Sequence, residues 1–308
     1  MRCVAVIGTG VIGASWAAWF LARGLDVRAS DPAPGAEAAL RAAVAAHWPT
    51  LTTLGLSPDA SPGRLQFLPS VEAAVDGAAF VQENGPERLD LKRELFRRLD
   101  AAAAPGIPLA SSSSSLMVSE FQDLCAEPGR VLLGHPFNPP HLIPLVEVVG
   151  GERTAEAALE QAMRFYSGIG KHPIRLHKER RGHVANRLQA ALWQEAIHLV
   201  AEGVVSVADL DAAVAHGPGL RWALLGPFFN LHLSGGAGGM RHTLDHLGPP
   251  VESMWRDLGA IGLTQATKDL VVRGTDALLA GLDQAEVVRR RDAVLVRLLA
   301  MKSAENLP

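Results

Sequence analysis

The sequence predicts an α/β domain followed by an all-helical C-terminal domain. Three observations carry the prediction: short β-rich runs alternate with helical material in the first half, a glycine-rich turn follows the first run, and the pattern turns helical after about Arg181. At 308 residues the chain is too long for one ordinary core and suits two domains, 1–181 and 182–308.

The first strand is the apolar run Cys3–Ile7. The segment from Gly10 to Arg23, rich in Ala, Trp and Leu, reads as the first helix. Gly24 ends it, because a left-handed residue after a helix costs glycine nothing. Val27–Ser30, Ala79–Gln82, Ile107–Ala110 and Val131–Gly134 read as further strands, and Leu145–Val149 and Ile174–Leu176 follow them. Such alternation predicts an open, mostly parallel sheet covered on both faces. After His177 the charged stretch Lys178, Glu179, Arg180 and Arg181 reads as a hinge. Beyond it, Leu188, Leu192, Ala196, Leu199 and Val200 share one face of a helix over Asn186–Gly203. Ser206 caps a short helix through Val214, and more helices follow a Gly/Pro-rich turn. No repeat of fixed period is evident.

Composition excludes several classes. Hydrophobic residues make up 48% and charged residues 20%, as in a globular body, and the net charge is −3. No run of Lys and Arg tracks a phosphate backbone, so nucleic-acid binding is not expected. Cys3 and Cys125 make neither a disulfide framework nor a zinc cluster, which points to a reducing compartment. The chain enters its first strand without the charged leader and apolar run of a signal peptide, and no apolar stretch is long enough to span a bilayer. A cytoplasmic location without membrane attachment is the expectation.

Residues Val4–Gly13 read VAVIGTGVIG. Gly8, Gly10 and Gly13, with Val11 and Ile12 between the last two, form a GxGxxG that follows a strand and opens a helix. Gly8 permits the tight turn, Gly10 lets backbone approach a pyrophosphate, and Gly13 lets helix and strand pack closely. The helix N-terminus then offers unpaired N–H groups to the phosphates. Asp31, about 20 residues on and at the end of the second strand, completes the dinucleotide fingerprint. Its carboxylate can accept a ribose 2′-hydroxyl and would repel a 2′-phosphate. No Arg or Lys occurs in Pro32–Gly35 to hold that phosphate, so NAD is expected over NADP.

Oxidising an alcohol with NAD needs a base for the hydroxyl proton, and histidine oriented by a carboxylate suits that work. Residues Gly134–Glu147 read GHPFNPPHLIPLVE. His135 follows a strand at the C-terminal sheet edge, where ligands of open α/β folds sit. The NPP turn reverses the chain, and Glu147 can return towards His135 in the next strand.

At these residues the chain resembles the 3-hydroxyacyl-CoA dehydrogenase family. The resemblance spans nearly the whole chain through VIGTGVIG, PERLDLKRELF, LASSSSSL, GHPFNPPHLIPLVEVV, GHVANRLQ and a later GPF. It implies a Rossmann-like domain, then an all-helical domain that dimerises, with NAD as cofactor. It also implies His135 as catalytic base with Glu147 as its partner, and Ser114 and Asn186 as residues that hold the substrate. Glu87 and Lys92, in PERLDLK, match positions lining the nicotinamide side of the cofactor cleft. This chain has Ser112 and Ser113 where the family commonly has Asn and Thr.

From Gly217 to Phe228 the chain reads GPGLRWALLGPF, which resembles the branch of that family containing lambda-crystallin (L-gulonate 3-dehydrogenase) and the L-carnitine dehydrogenases. The expected substrate is a small L-3-hydroxy acid, with short 3-hydroxyacyl thioesters as the alternative and a non-catalytic NAD-binding protein as a third class. Arg221 could bind a free carboxylate bidentately, or pair at the helix surface. Phe137, Trp193, Trp222, Phe228, Phe229 and Trp255 could cage a trimethylammonium group, or serve as core. His242 and His246 stand four apart, but no third metal ligand accompanies them and no metal is expected.

Overall fold

The computed structural model describes residues 3–307. Two compact units divide the chain, the first ending at Arg187 and the second starting at Leu188.

The first unit is built on one eight-stranded sheet. Its elements are β1 (Cys3–Ile7), α1 (Val11–Ala22), β2 (Asp26–Ser30), α2 (Ala36–Leu54), β3 (Leu65–Phe67), α3 (Val71–Val75), β4 (Phe80–Glu83) and α4 (Leu89–Ala102). They continue with β5 (Leu109–Ser111), α5 (Val118–Phe121), β6 (Val131–Pro136), β7 (Leu145–Gly150), α6 (Glu156–Gly168) and β8 (His172–Arg175). The strand order is β3-β2-β1-β4-β5-β6-β7-β8. All neighbours are parallel except β6 and β7, which the proline turn between them makes antiparallel. The turns after β1 and β6 therefore lie at the same edge of the sheet, where ligands of open α/β folds collect.

Strand side chains alternate between two cores. Val4 and Val6 enter one, with Trp16, Phe20 and Tyr166, whereas Ala5 and Ile7 enter the other, with Phe96 and Phe121. Burial on both faces explains why the strands read as apolar runs. Helix α1 is buried along its whole length from Gly13 to Ala22, which accounts for its lack of a polar face. Gly24 follows it with φ of 76°, the left-handed residue the sequence called for. The sequence reading did not foresee β3, an edge strand of three residues.

Helix α7 (Ala185–Ala201) begins in the first unit and runs into the second, which continues through α8 (Val207–His216), α9 (Pro218–Trp222), α10 (Pro227–Ser234), α11 (Gly239–Asp257), α12 (Gln265–Leu279) and α13 (Gln284–Ala304). Ser206, Thr264 and Asp283 cap α8, α12 and α13 by accepting backbone N–H bonds. Helix α8 packs on α9 and α12, and α10 on α11. The glycines from 235 to 239 form a tight turn between α10 and α11, with Gly236 and Gly239 at positive φ. Among the described residues, Val296 is the unit's only buried apolar side chain. No described helix is long and apolar enough to cross a membrane.

Candidate active site

The turn from Gly8 to Gly13 has the shape a dinucleotide needs. Gly8 lies at φ of 83°, and a Cβ there would strike the backbone of Asn84. A Cβ on Gly13 would sit 1.9 Å from the Gly8 carbonyl oxygen, whereas one on Gly10 meets nothing within 4 Å. Close packing on one side and open space on the other fit a pyrophosphate resting against Gly10. No side chain caps α1, and its first turn holds no acidic residue, so its N-terminal N–H groups stay available to an anion. Val11 is 77% exposed at that end, and Ile12 packs against the core.

Asp31 is oriented for the ribose. One carboxylate oxygen accepts the Thr9 N–H at 2.7 Å and the other accepts the Ala33 N–H at 2.9 Å. Two backbone bonds hold the group at the end of β2, and lone pairs remain for a hydroxyl. These residues together fit NAD.

Strands β6 and β7 pair so that His135 stands directly opposite Glu147. The His135 Nδ1 lies 2.8 Å from Glu147 Oε2, and both side chains are buried. Glu147 Oε1 accepts the N–H groups of Val184 and Ala185, each at 2.9 Å. Burial pushes the Glu147 carboxyl up, but the bonds from His135, Ala185 and Val184 outweigh it and hold the group below the usual carboxylate range. An ionised carboxylate only accepts, so Nδ1 carries a proton, and in the neutral imidazole Nε2 is the nitrogen with the lone pair. Asn186 follows in the first turn of α7, half-buried.

The serine run divides its work. Ser112 points inward and donates to Asn84 Oδ1 at 2.7 Å. Ser113 Oγ donates to Glu87 at 2.8 Å. Ser114 gives Glu87 both its N–H and its hydroxyl, the latter at 3.0 Å. Its one hydroxyl proton must leave Glu87 if it is to reach a substrate oxygen. Burial raises the Glu87 carboxyl, but the Ser114 N–H and the serine hydroxyls outweigh it and leave the group lowered.

Lys92 is not on a solvated face. It is 1% exposed, and its ammonium reaches both oxygens of buried Glu83 at 2.7 and 2.8 Å and the Gly85 carbonyl at 3.3 Å. Its three donors are spent, so it supports the site from beneath. Replacing Lys92 with Met should leave Glu83 as an unpaired buried charge and cost about 3–5 kcal/mol, read as a fall in the urea midpoint.

Sequence reasoning missed His183. This residue is 3% exposed, at φ of 52°, with its ring centroid 5.0 Å from that of His135. Its Nε2 donates to the Ser113 carbonyl at 3.1 Å, while Nδ1 is buried without a partner. With Gly182, also at positive φ, it forms the turn that aims the Val184 and Ala185 N–H groups at Glu147. A histidine just before ANRL was the available signal. Burial first, and then the facing His135, lower its pKa from 6.5, while the Ser113 carbonyl, Glu147 and Glu87 oppose them. Below pH 6.5 the unfolded chain takes up a proton that the folded chain refuses, so His183 subtracts stability as pH falls. His183→Asn tolerates the positive φ but cannot titrate. The stability gap between wild type and this variant should narrow from pH 7.5 to 5.5 in urea titrations; a constant gap contradicts the assignment.

The other candidates lie in the second unit or beside the turn. Phe137 follows β6 and is half-buried. Arg221 and Trp222 end α9, both exposed, and Arg221 makes no ion pair among the described residues. Trp193, Trp222, Phe228, Phe229 and Trp255 are exposed and make no ring contact with one another, so within the described chain they form neither cage nor core. The His242 and His246 rings stack, and no cluster of three metal-ligating side chains occurs among the described residues.

A dinucleotide turn and a histidine–carboxylate pair lie at one sheet edge, an arrangement suited to an NAD-dependent oxidoreductase. Residues 3–180 match the NAD binding domain of 3-hydroxyacyl-CoA dehydrogenase, and residues 182–269 match that enzyme's C-terminal domain. The chain belongs to the 3-hydroxyacyl-CoA dehydrogenase family. It is 52% identical over 299 residues to an L-carnitine dehydrogenase of Streptomyces coelicolor, covering 97% of this chain and 94% of that one. It is 49% identical to an L-carnitine dehydrogenase of Pseudomonas aeruginosa, covering 97% and 93%. Among solved structures, 5-formyl-3-hydroxy-2-methylpyridine 4-carboxylic acid 5-dehydrogenase, an NAD-dependent dismutase, matches with a TM-score of 0.84 at 29% identity over all of both chains. The 3-hydroxybutyryl-CoA dehydrogenase of Escherichia coli matches with a TM-score of 0.63 at 30% identity over 69% of this chain and 46% of that one.

Proposed function

We propose that the chain oxidises the 3-hydroxyl of a free L-3-hydroxy acid, with L-carnitine the first substrate to test. The observation that carries this reading is near 50% identity over almost the whole chain to enzymes named for that substrate. His135 Nε2 takes the hydroxyl proton as C3 loses hydride, and Glu147 stabilises the imidazolium that forms. NAD, when bound at the Gly8–Gly13 turn, accepts the hydride. Ser114 and Asn186 hold the substrate oxygen, and Glu87 orders the serine run. On this reading Arg221 is assigned to the substrate carboxylate, and Phe137 and Trp222 to binding the remainder of the molecule.

The active species is a homodimer. In the second unit Trp193, Phe228 and Trp255 are 59%, 76% and 66% exposed, and a helical unit with so little core of its own needs a partner surface. Sedimentation at micromolar concentration should give twice the chain mass. The two free thiols support a cytoplasmic location.

The test follows NADH absorbance with L-carnitine, L-gulonate and L-3-hydroxybutyrate beside 3-hydroxybutyryl-CoA. Turnover of a free acid, with KM raised in Arg221→Met, supports the reading. Turnover of the thioester alone overturns it.

A further inference from the structure

We infer that Tyr166, Gln82, Ser112 and Asn84 form a one-way hydrogen-bond relay that positions the His135 strand against the dinucleotide turn. The inference rests on the reading of His135 as the base.

Tyr166 is the chain's sole tyrosine. It lies on α6, which carries none of the predicted site residues, and it is fully buried. Its hydroxyl is 2.6 Å from Gln82 Oε1, which can only accept, so the phenol donates. Burial, only partly offset by that bond, pushes the phenol up and keeps it a donor. With Oε1 so placed, the Gln82 amide nitrogen is fixed on the other side. It donates to the Gly134 carbonyl at 3.2 Å and to Ser112 Oγ at 2.8 Å. Ser112 also receives the Trp16 indole N–H at 3.3 Å, so its single proton goes to Asn84 Oδ1 at 2.7 Å. That fixes the second amide, whose Nδ2 donates to the Gln82 carbonyl at 3.0 Å and to those of Ile7 and Gly8 at 3.4 Å.

The relay thus begins at α6 and ends on carbonyls at two places, that of Gly134 and those of Gln82, Ile7 and Gly8. Gly134 immediately precedes His135, and Gly8 opens the cofactor turn. A second observation shows how closely the tyrosine is fitted to the catalytic strand. A Cβ on Gly134 would sit 1.9 Å from the Tyr166 hydroxyl oxygen, and Gly134 does not have positive φ. The glycine of GHPFNP is therefore present to admit the phenol, not to bend the chain. Each donor direction depends on the one before it, so removing the phenol hydroxyl frees the Gln82 amide to flip and relaxes both ends together.

The test uses Tyr166→Phe, Ser112→Ala and the double variant of the full chain. In cofactor-free protein, hydrogen exchange at the amides of residues 7–10 and of Gly134 and His135 should quicken about fivefold to tenfold in Tyr166→Phe, and that of residues 7–10 alone in Ser112→Ala, as expected when one buried hydrogen bond is lost. Exchange in β2 should not change. With C3-deuterated L-carnitine and NAD, kcat should fall about tenfold from misplacement alone, the substrate KM should stay within twofold, and the deuterium isotope effect should rise. The double variant should resemble Tyr166→Phe, because members of one relay are not additive. Wild-type exchange at both segments in a folded variant, or losses that multiply in the double variant, overturn the relay. Should Tyr166→Phe fail to fold, Ser112→Ala carries the criterion at residues 7–10. An active His135→Ala would overturn the base assignment, while the exchange result would still judge the relay.

Discussion

Replacing His135 with alanine is expected to lower kcat about 10²–10⁴-fold, the usual contribution of a positioned acid–base group, with little change in KM for substrate or NAD. The split follows from where things lie. The cofactor groups sit on β1, α1 and β2, and none of them bonds to His135. What is lost is an interaction made as the proton moves, so the loss belongs to kcat. The fold should survive, because Glu147 retains the N–H groups of Val184 and Ala185 after the imidazole bond is gone. NADH formation and NAD binding by fluorescence, measured on one preparation, check the split. Turnover within threefold of wild type, with NAD still bound, would remove His135 from the chemistry.

Much of this architecture was legible in the sequence, for identifiable physical reasons. Strands such as Cys3–Ile7 and Val131–Pro136 are buried on both faces and so read as apolar runs. The glycine turn, Asp31, His135 and Glu147 were legible because backbone conformation and strand register alone bring them to the edge. β3 was not, since three residues at a sheet edge, one of them exposed, carry no periodic signal. Lys92 was ambiguous for a different reason. It lies in α4 among Asp90, Arg93, Glu94, Arg97 and Arg98, where a charge normally means solvent, and only the buried Glu83 explains its inward position. His183 and Tyr166 act across 70 and 84 residues, through a carbonyl and an amide that no spacing rule anticipates. The sequence separates chemistry-bearing residues well when one element carries them, and poorly when they are defined by a contact between distant elements.

Glu147→Gln should be nearly as damaging as loss of the histidine, with kcat down by as much as about 10⁴-fold, although only one atom of the side chain changes. The reason is the seat of each carboxylate oxygen. Oε1 accepts two backbone N–H groups, and in the variant only the amide oxygen can take that place. The amide nitrogen is then left facing His135 Nδ1, across what was a 2.8 Å bond. It donates, so Nδ1 must accept, and the ring's proton moves to Nε2. The nitrogen turned towards substrate then holds a proton already and cannot take another from the hydroxyl. The negative charge that would stabilise imidazolium is also gone. Nitrogen-15 chemical shifts of the His135 ring should show this inversion directly, with Nε2 protonated in the variant and Nδ1 in wild type. Because the fold keeps both backbone bonds to position 147, the urea midpoint at neutral pH should fall far less than activity does. If the variant retained more than a tenth of wild-type kcat, the carboxylate would be orienting the ring without setting its tautomer. Unchanged ring shifts would then place the proton on Nδ1 by some means other than Glu147.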